Sequence, residues 1–169
     1  MSSDLADRAW VALGSNLGAP QDTVARAMDA LEPLSAAPLL RSSLWWSTPV
    51  DCPPGSPPFI NAVVGLMPLA DETPESLLQR LHEIENRFGR LPRKVVNEPR
   101  SLDLDLIAFR KDTRTGGGLI LPHPRAHLRK FVLAPLAELA PDLILPGQTK
   151  SVSALLDQLT TGELVRKFQ

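Results

Sequence analysis

The chain has 169 residues, with 18 Lys and Arg against 19 Asp and Glu and a formal charge of −1 at pH 7. That length supports one substantial hydrophobic core and scarcely two, so a single domain over 1–169 is expected. Near-neutrality excludes a global field aimed at nucleic acid or an anionic membrane.

The opening stretch from Met1 to Arg8 is polar and lacks an apolar signal core, and no apolar run approaches membrane-spanning length. The lone Cys52 excludes an intramolecular disulfide or a cysteine cluster and fits a reducing, cytoplasmic setting. Prolines number 17 and fall mainly in connections, which predicts long, shaped loops on a rigid scaffold.

Ala9 to Leu13 reads as a short buried strand, and Gly14-Ser15-Asn16-Leu17-Gly18 as a turn into a helix beginning near Pro20. Val24, Ala27, Met28 and Leu31 recur at helical spacing. Leu39 to Trp46 reads as one strand that ends at Thr48-Pro49. Five of the nine positions from Val50 to Pro58 are proline or glycine, so this stretch is a loop. Phe59 to Met67 returns to a strand, with Asn61 as its polar exception.

The next helix has Thr73 as N-cap, Pro74 at its first position and Glu75 in its first turn. Leu77, Leu81, Ile84 and Phe88 form its buried stripe, and Gly89 stops it. A loop over Arg90 to Pro99 leads to a strand carrying Asp103 and Asp105. Lys111 to Gly118 reads as a flexible connection and Leu119 to Leu121 as a brief edge strand. Two helices follow, over Phe131 to Leu139 and from Ser151, the cap, to Leu159. The order strand, helix, strand, strand, helix, strand with a C-terminal extension predicts an α+β fold. It matches the ferredoxin-like split βαβ arrangement, with an antiparallel four-stranded sheet and helices on one face.

Asp103 and Asp105 stand two apart in the apolar run Leu102 to Ile107, so a strand aims both carboxylates at one face. Like charges at that spacing repel unless a cation lies between them. The plain alternative is an amphipathic strand whose acidic face meets water.

Arg87, Arg90, Arg93, Lys94 and Arg100 precede the pair, with Glu98 as the one acid among them. Guanidinium forks match phosphate oxygens, and acids that hold magnesium beside cations that hold phosphate are the two halves of a nucleoside-triphosphate site. A second basic cluster, His123, Arg125, His127, Arg129 and Lys130, lies just before an apolar helix. Positive charge opposes the helix dipole there, which makes more sense if an anion occupies the region.

Phe59 and Phe131 are ordinary core residues or a stacking pair for a planar heterocycle, with Asn61 on the same strand face as Phe59. The chain has no Gly-x-x-x-x-Gly-Lys-[Ser/Thr] loop and no Gly-x-Gly-x-x-Gly, which argues against P-loop and Rossmann sites. One cysteine and three scattered histidines argue against zinc.

These motifs together resemble the 6-hydroxymethyl-7,8-dihydropterin pyrophosphokinases of folate biosynthesis. The landmarks run from Ala12-Leu13-Gly14-Ser15-Asn16-Leu17-Gly18, through Ser47-Thr48-Pro49, Phe59-Ile60-Asn61-Ala62-Val63 and Glu85-Asn86-Arg87-Phe88-Gly89-Arg90, to Pro99-Arg100-Ser101-Leu102-Asp103-Leu104-Asp105. Leu121-Pro122-His123-Pro124-Arg125 and Arg129-Lys130-Phe131-Val132-Leu133 complete them.

The resemblance implies transfer of pyrophosphate from ATP to the pterin, with AMP released, by a cytoplasmic monomer that needs no nucleic-acid or membrane partner. It implies that Asp103 and Asp105 bind two Mg²⁺ ions and that Arg90, Arg100, His123 and Arg129 contact the phosphates. Phe59 and Phe131 would sandwich the pterin, while Asn61 and the backbone of Thr48, Pro49 and Val50 read its edge. Leu78, His82, Glu85 and Leu106 match nucleotide-lining positions.

Some relatives carry tryptophan where this chain has Asn97, and others carry polar residues where it has Gly118 and Ile120, which offer the nucleotide no side-chain contact. No residue stands out as general base: Asp105 either takes the hydroxyl proton or holds the metal that acidifies the hydroxyl.

Two rival readings frame the tests. Another magnesium-dependent transferase with an Asp-x-Asp pair needs no pterin-stacking aromatics. A non-catalytic ferredoxin-like RNA reader favours a basic open sheet face, which acids occupy here.

Overall fold

The computed structural model describes residues 2–89 and 101–168. Arg90, Arg93, Lys94, Asn97, Glu98 and Arg100 lie outside the described residues.

A six-stranded, wholly antiparallel sheet organises the molecule. Its first strand, β1 (Ala9–Ser15), is apolar on both faces and sits between β4 (Phe59–Leu66) and β5 (Asp103–Phe109). On the far side of β4 lie β2 (Leu40–Arg41) and β3 (Trp45–Ser47), and β8 (Val165–Lys167) adds to β3.

The expected four-stranded sheet is therefore corrected to six strands. The single strand from Leu39 to Trp46 divides because Ser42 enters the ladder with its side chain. Its Oγ accepts the Val63 N–H at 2.9 Å, while Ser42 N–H donates to Val63 O at 3.0 Å. The C-terminal extension supplies the sixth strand.

Helices cover both faces, not one. Because strand side chains alternate, Ala9, Val11 and Leu13 of β1 face one layer and Trp10 and Ala12 the other. The first layer is α2 (Pro20–Leu31) and α3 (Pro74–Arg87), whose Val24, Met28, Leu31, Leu77, Leu81 and Ile84 pack on Ile60, Ala62, Val64 and Leu66. The second is α4 (Lys130–Leu139) and α5 (Val152–Gln158), whose Val132, Leu133, Leu136 and Val152 cover Trp10, Val63 and Ile107. The second layer was legible as apolar helices. Its face was not, since β1 and β4 are apolar on both sides.

Trp10 is the largest side chain of the second layer, and its cross-strand neighbour is Gly65. A Cβ at Gly65 would lie 2.6 Å from the indole ring, so only glycine lets the ring lie flat on β4 there.

Local signals account for the element ends. Thr73 Oγ1 accepts the Ser76 N–H at 3.0 Å and Ser76 Oγ accepts the Thr73 N–H at 2.9 Å, a reciprocal cap at the start of α3. Gly89 follows the helix at φ +82°, the left-handed stop that glycine adopts without a Cβ penalty. Ser151 Oγ accepts the Ala154 N–H at 3.2 Å and caps α5. A short helix, α1 (Ser2–Ala6), which composition did not suggest, precedes β1. The expected flexible connection at Lys111 to Gly118 instead contains β6 (Arg114–Gly116), paired with β7 (Leu119–Leu121) as a hairpin turning at Gly117 and Gly118.

Candidate active site

β5 is an edge strand of the sheet, so its outward N–H groups need partners that no second neighbouring strand among the described residues supplies. Glu85 of α3 answers one of them. Its Oε2 accepts the Leu104 N–H at 2.7 Å from a side chain only 2 % exposed. Leu104 lies between the two aspartates, so this bond fixes the strand segment that presents them. Asp103 and Asp105, both half-buried, project from the face opposite Leu104 and Leu106, whose side chains enter the α2–α3 layer.

The cross-strand register extends this face inward. Asp103 and Asn61 both pair with Gly14, and Asp105 pairs with Ala12. Asn61, Gly14 and Asp103 thus form one row across three strands. A Cβ on Gly14 would come within 3.5 Å of Asn61 Oδ1 and 3.7 Å of Phe59, so glycine keeps a shallow hollow open there. Asn61 is held by its amide nitrogen, which donates to Ser47 Oγ at 2.7 Å and Trp45 O at 3.3 Å. That leaves its carbonyl oxygen turned toward the Gly14 hollow. Phe59 stands two residues away on the same strand face, and Phe131, at the start of α4, packs against the same layer.

A cleft of about 410 Å³ opens beside the acid pair. Leu78, His82 and Glu85 of α3 line one wall and Asp103, Asp105 and Leu106 the floor, with the β6–β7 hairpin and His123 opposite. The α3 stripe and the acid pair, read separately in the sequence, thus meet in one cavity. Gly118 and Ile120, from which no side-chain contact to the nucleotide is expected, line the cavity from the hairpin. The hairpin turn brings Ile120, half-exposed, onto the cleft wall.

His123 is anchored by its backbone N–H, which donates to Ile107 O at 2.8 Å. Burial, and then the positive charges of Arg129 and Arg125, lower its pKa to about 4 against a smaller opposing pull from Asp103. Its Nδ1 accepts the Arg125 N–H at 3.1 Å, so the neutral ring carries its proton on Nε2 and is a donor there. Arg129 Nη1 lies 3.9 Å from Asp105 Oδ2, and its guanidinium sits 5.6 Å from the Phe131 ring centroid.

Thr48 is already engaged within the chain, its N–H donating to Leu164 O at 3.1 Å. The remaining backbone of this loop, at Pro49 and Val50, follows directly. Arg90 and Arg100 lie outside the described residues. Ser47 and Gly14 stood in the sequence only as members of landmark motifs, with no role of their own, and Glu163 was not singled out; only the basic start of α4, which called for a nearby anion, pointed toward the last.

The donor set is oxygen only: two carboxylates facing a cleft, and no group of three or more potential metal-ligating side chains among the described residues. Such a pair suits a hard divalent cation that takes its other positions from water and phosphate oxygens.

On the six-stranded α+β scaffold, two acids and a neutral histidine line one cleft and Arg129 stands beside Asp105, a set suited to binding a metal-bound phosphate. The sequence matches the 7,8-dihydro-6-hydroxymethylpterin-pyrophosphokinase (HPPK) family over residues 10–141, and the chain belongs to that family.

It is 41% identical over 140 residues to the 2-amino-4-hydroxy-6-hydroxymethyldihydropteridine pyrophosphokinase of Pseudomonas aeruginosa, covering 82% of this chain and 84% of the relative. It is 38% identical over 151 residues to that of Synechocystis, covering 89% and 75%, and 32% identical over 158 residues to that of Haemophilus influenzae, covering 94% and 96%. In fold it resembles the wild-type HPPK-DHPS of Plasmodium falciparum solved with pteroate, with a TM-score of 0.70 at 13% identity. That likeness covers 89% of this chain and 42% of the larger one, so the chain spans less than half the length of the solved protein. No helix among the described residues is long and apolar enough to cross a membrane.

Proposed function

We propose that this chain, as a single domain over 1–169 and a cytoplasmic monomer, transfers the pyrophosphoryl group of ATP to 6-hydroxymethyl-7,8-dihydropterin. The observation that carries this is the cleft in which Asp103, Asp105, His123 and the Leu78–His82–Glu85 stripe converge, continuous on the sheet with the Gly14–Asn61 row. Family membership supplies the substrate pair. The split crossovers β1–α2–β2 and β4–α3–β5 support a ferredoxin-like arrangement of the strands β5, β1, β4 and β3.

In this reading the adenine and ribose lie along Leu78, His82, Glu85 and Leu106, and the triphosphate runs toward the acid pair. The pterin lies between Phe59 and Phe131 with its edge on Asn61 and on the backbone at Pro49 and Val50. Thr48 takes part by holding that backbone in place. The hydroxymethyl oxygen gives up its proton, which passes to solvent, and bonds to the β-phosphorus, while the bond from that phosphorus to the AMP oxygen breaks and AMP leaves with that electron pair.

Asp103 and Asp105 would hold two Mg²⁺ ions, which when bound would neutralise phosphate charge and acidify the attacking hydroxyl. His123 donates from Nε2 to a phosphate oxygen. Arg129, Arg90 and Arg100 complete the cationic surround of the triphosphate. Catalysis here is positioning and charge neutralisation.

The test is turnover with ATP, magnesium and the hydroxymethyl-dihydropterin. AMP must form and ADP must not. Tight pterin binding separates this function from that of an Asp-x-Asp nucleotide-sugar transferase, which has no use for the aromatic pair.

A further inference from the structure

The segment from Thr161 to Phe168 lies beyond the family match at 10–141, yet it touches the element ends on both sides of the proposed pterin subsite. At the β3 end, Thr48 N–H donates to Leu164 O at 3.1 Å and Leu164 N–H donates to Thr48 Oγ1 at 3.0 Å. Val165–Lys167 then continues this pairing as β8 along Trp45–Ser47. At the α4 end, Glu163 Oε1 accepts the Lys130 N–H at 2.9 Å and the Thr161 hydroxyl at 3.3 Å. Phe131 is the next residue after Lys130, and Pro49 the next after Thr48.

We propose that this segment is a positioning strap for the pterin subsite, in which Glu163 and the backbone of Leu164 fix the spacing between the Thr48–Val50 loop and the start of α4. The inference rests on the pterin reading above.

Three features favour positioning over plain stability. Leu164 is 63% exposed, and Arg166, Lys167 and Phe168 are exposed as well, so the strap contributes little apolar burial to the core. What holds it is a set of directional bonds and the Arg166 guanidinium, stacked 4.5 Å from the Trp46 centroid. The second carboxylate oxygen of Glu163, Oε2, is buried without a hydrogen-bond partner among the described residues. Its other oxygen meets the N-terminus of α4 through the Lys130 backbone N–H, so the acid places an anion at the basic start of that helix. A subsite whose two walls are tied together in advance loses less freedom when a rigid ring enters.

The experiment uses the whole chain with Glu163→Ala, Glu163→Gln and Leu164→Pro, the last removing the N–H that Thr48 accepts. Pterin affinity is read by calorimetry with 6-hydroxymethylpterin beside a non-hydrolysable ATP analogue and magnesium. KM for each substrate, kcat and melting temperature are measured in parallel.

The strap predicts that Glu163→Ala and Leu164→Pro weaken pterin binding by about fivefold or more and raise the pterin KM in step, from the loss of one or two hydrogen bonds. The ATP KM stays within about twofold, and Glu163→Gln, which keeps an acceptor for Lys130, recovers most of the affinity. Unchanged pterin affinity in both variants, or an affinity that merely tracks melting temperature across all three, overturns the strap. Wild-type protein that binds no pterin overturns the substrate reading as well, which distinguishes the two failures.

Discussion

Glu85 Oε2 accepts the Leu104 N–H at 2.7 Å, so a buried carboxylate on α3 closes the open edge of the strand that carries both aspartates. Removing that acceptor strands a buried donor, at about 1–3 kcal/mol. Glu85→Leu is therefore expected to lower stability by that amount in urea titration and to reduce kcat as the acid pair loses its register. Glu85→Gln, which keeps an acceptor oxygen, loses less of both. Equal losses in the two variants would show that the charge, not the bond to Leu104, matters.

Asp103→Asn and Asp105→Asn each remove charge from the proposed magnesium site while preserving shape. Both are expected to melt within a few degrees of the wild type and to lose turnover by a factor of at least about 10³, in line with loss of a principal electrostatic stabiliser. The assay is AMP release at saturating magnesium. Retained turnover in either variant would remove that residue from the metal site.

Ser47 acts through Asn61. Its hydroxyl accepts the amide nitrogen at 2.7 Å and so keeps the amide oxygen toward the Gly14 hollow. Ser47→Ala is expected to raise the pterin KM by about five- to tenfold with the ATP KM unchanged, the effect of one lost hydrogen bond of about 1 kcal/mol. A parallel rise in both constants would point to general loosening of β3 instead.

Gly65→Ala tests the packing of the second layer. The added Cβ would meet the fully buried Trp10 ring at 2.6 Å, so the ring or β4 must shift to admit it. A destabilisation of about 1–3 kcal/mol is expected, as for other overpacked cores. A melting temperature equal to that of the wild type would contradict it.

His123 gives a pH signature. Its folded pKa of about 4 lies below the value near 6.5 of the exposed ring. Between those values the unfolded chain binds a proton that the native chain does not. The stabilisation from this group is therefore complete above pH 6.5 and is lost as pH falls toward 4. His123→Gln should flatten that part of the stability profile, measured as urea midpoints in ligand-free protein. Superimposable profiles would show that the ring titrates normally.

Much of the site was legible because its chemistry rides on short-range patterns. The two-residue spacing of Asp103 and Asp105 places both side chains on one face without knowledge of the fold, and the family resemblance, with a compatible helical spacing, marks Leu78, His82 and Glu85. What was not legible depends on contacts distant in sequence. Glu85 reads as a nucleotide-lining residue of α3, and its bond to the Leu104 N–H shows only once β5 lies beside it. Ser47 and Gly14 gain their roles from strand register. Glu163 is 33 positions from Lys130, in a polar segment that no hydrophobic period marks. The fold was misread for a related reason: β1 and β4 are apolar on both faces, so alternation could not reveal that α4 and α5 cover the second one.

The most direct measurement follows the label from ATP carrying ³²P at its β or γ position, with magnesium and 6-hydroxymethyl-7,8-dihydropterin. Both labels must move to the pterin together while AMP is released unlabelled. Transfer of the γ label alone, leaving labelled ADP, would contradict pyrophosphoryl transfer at this cleft.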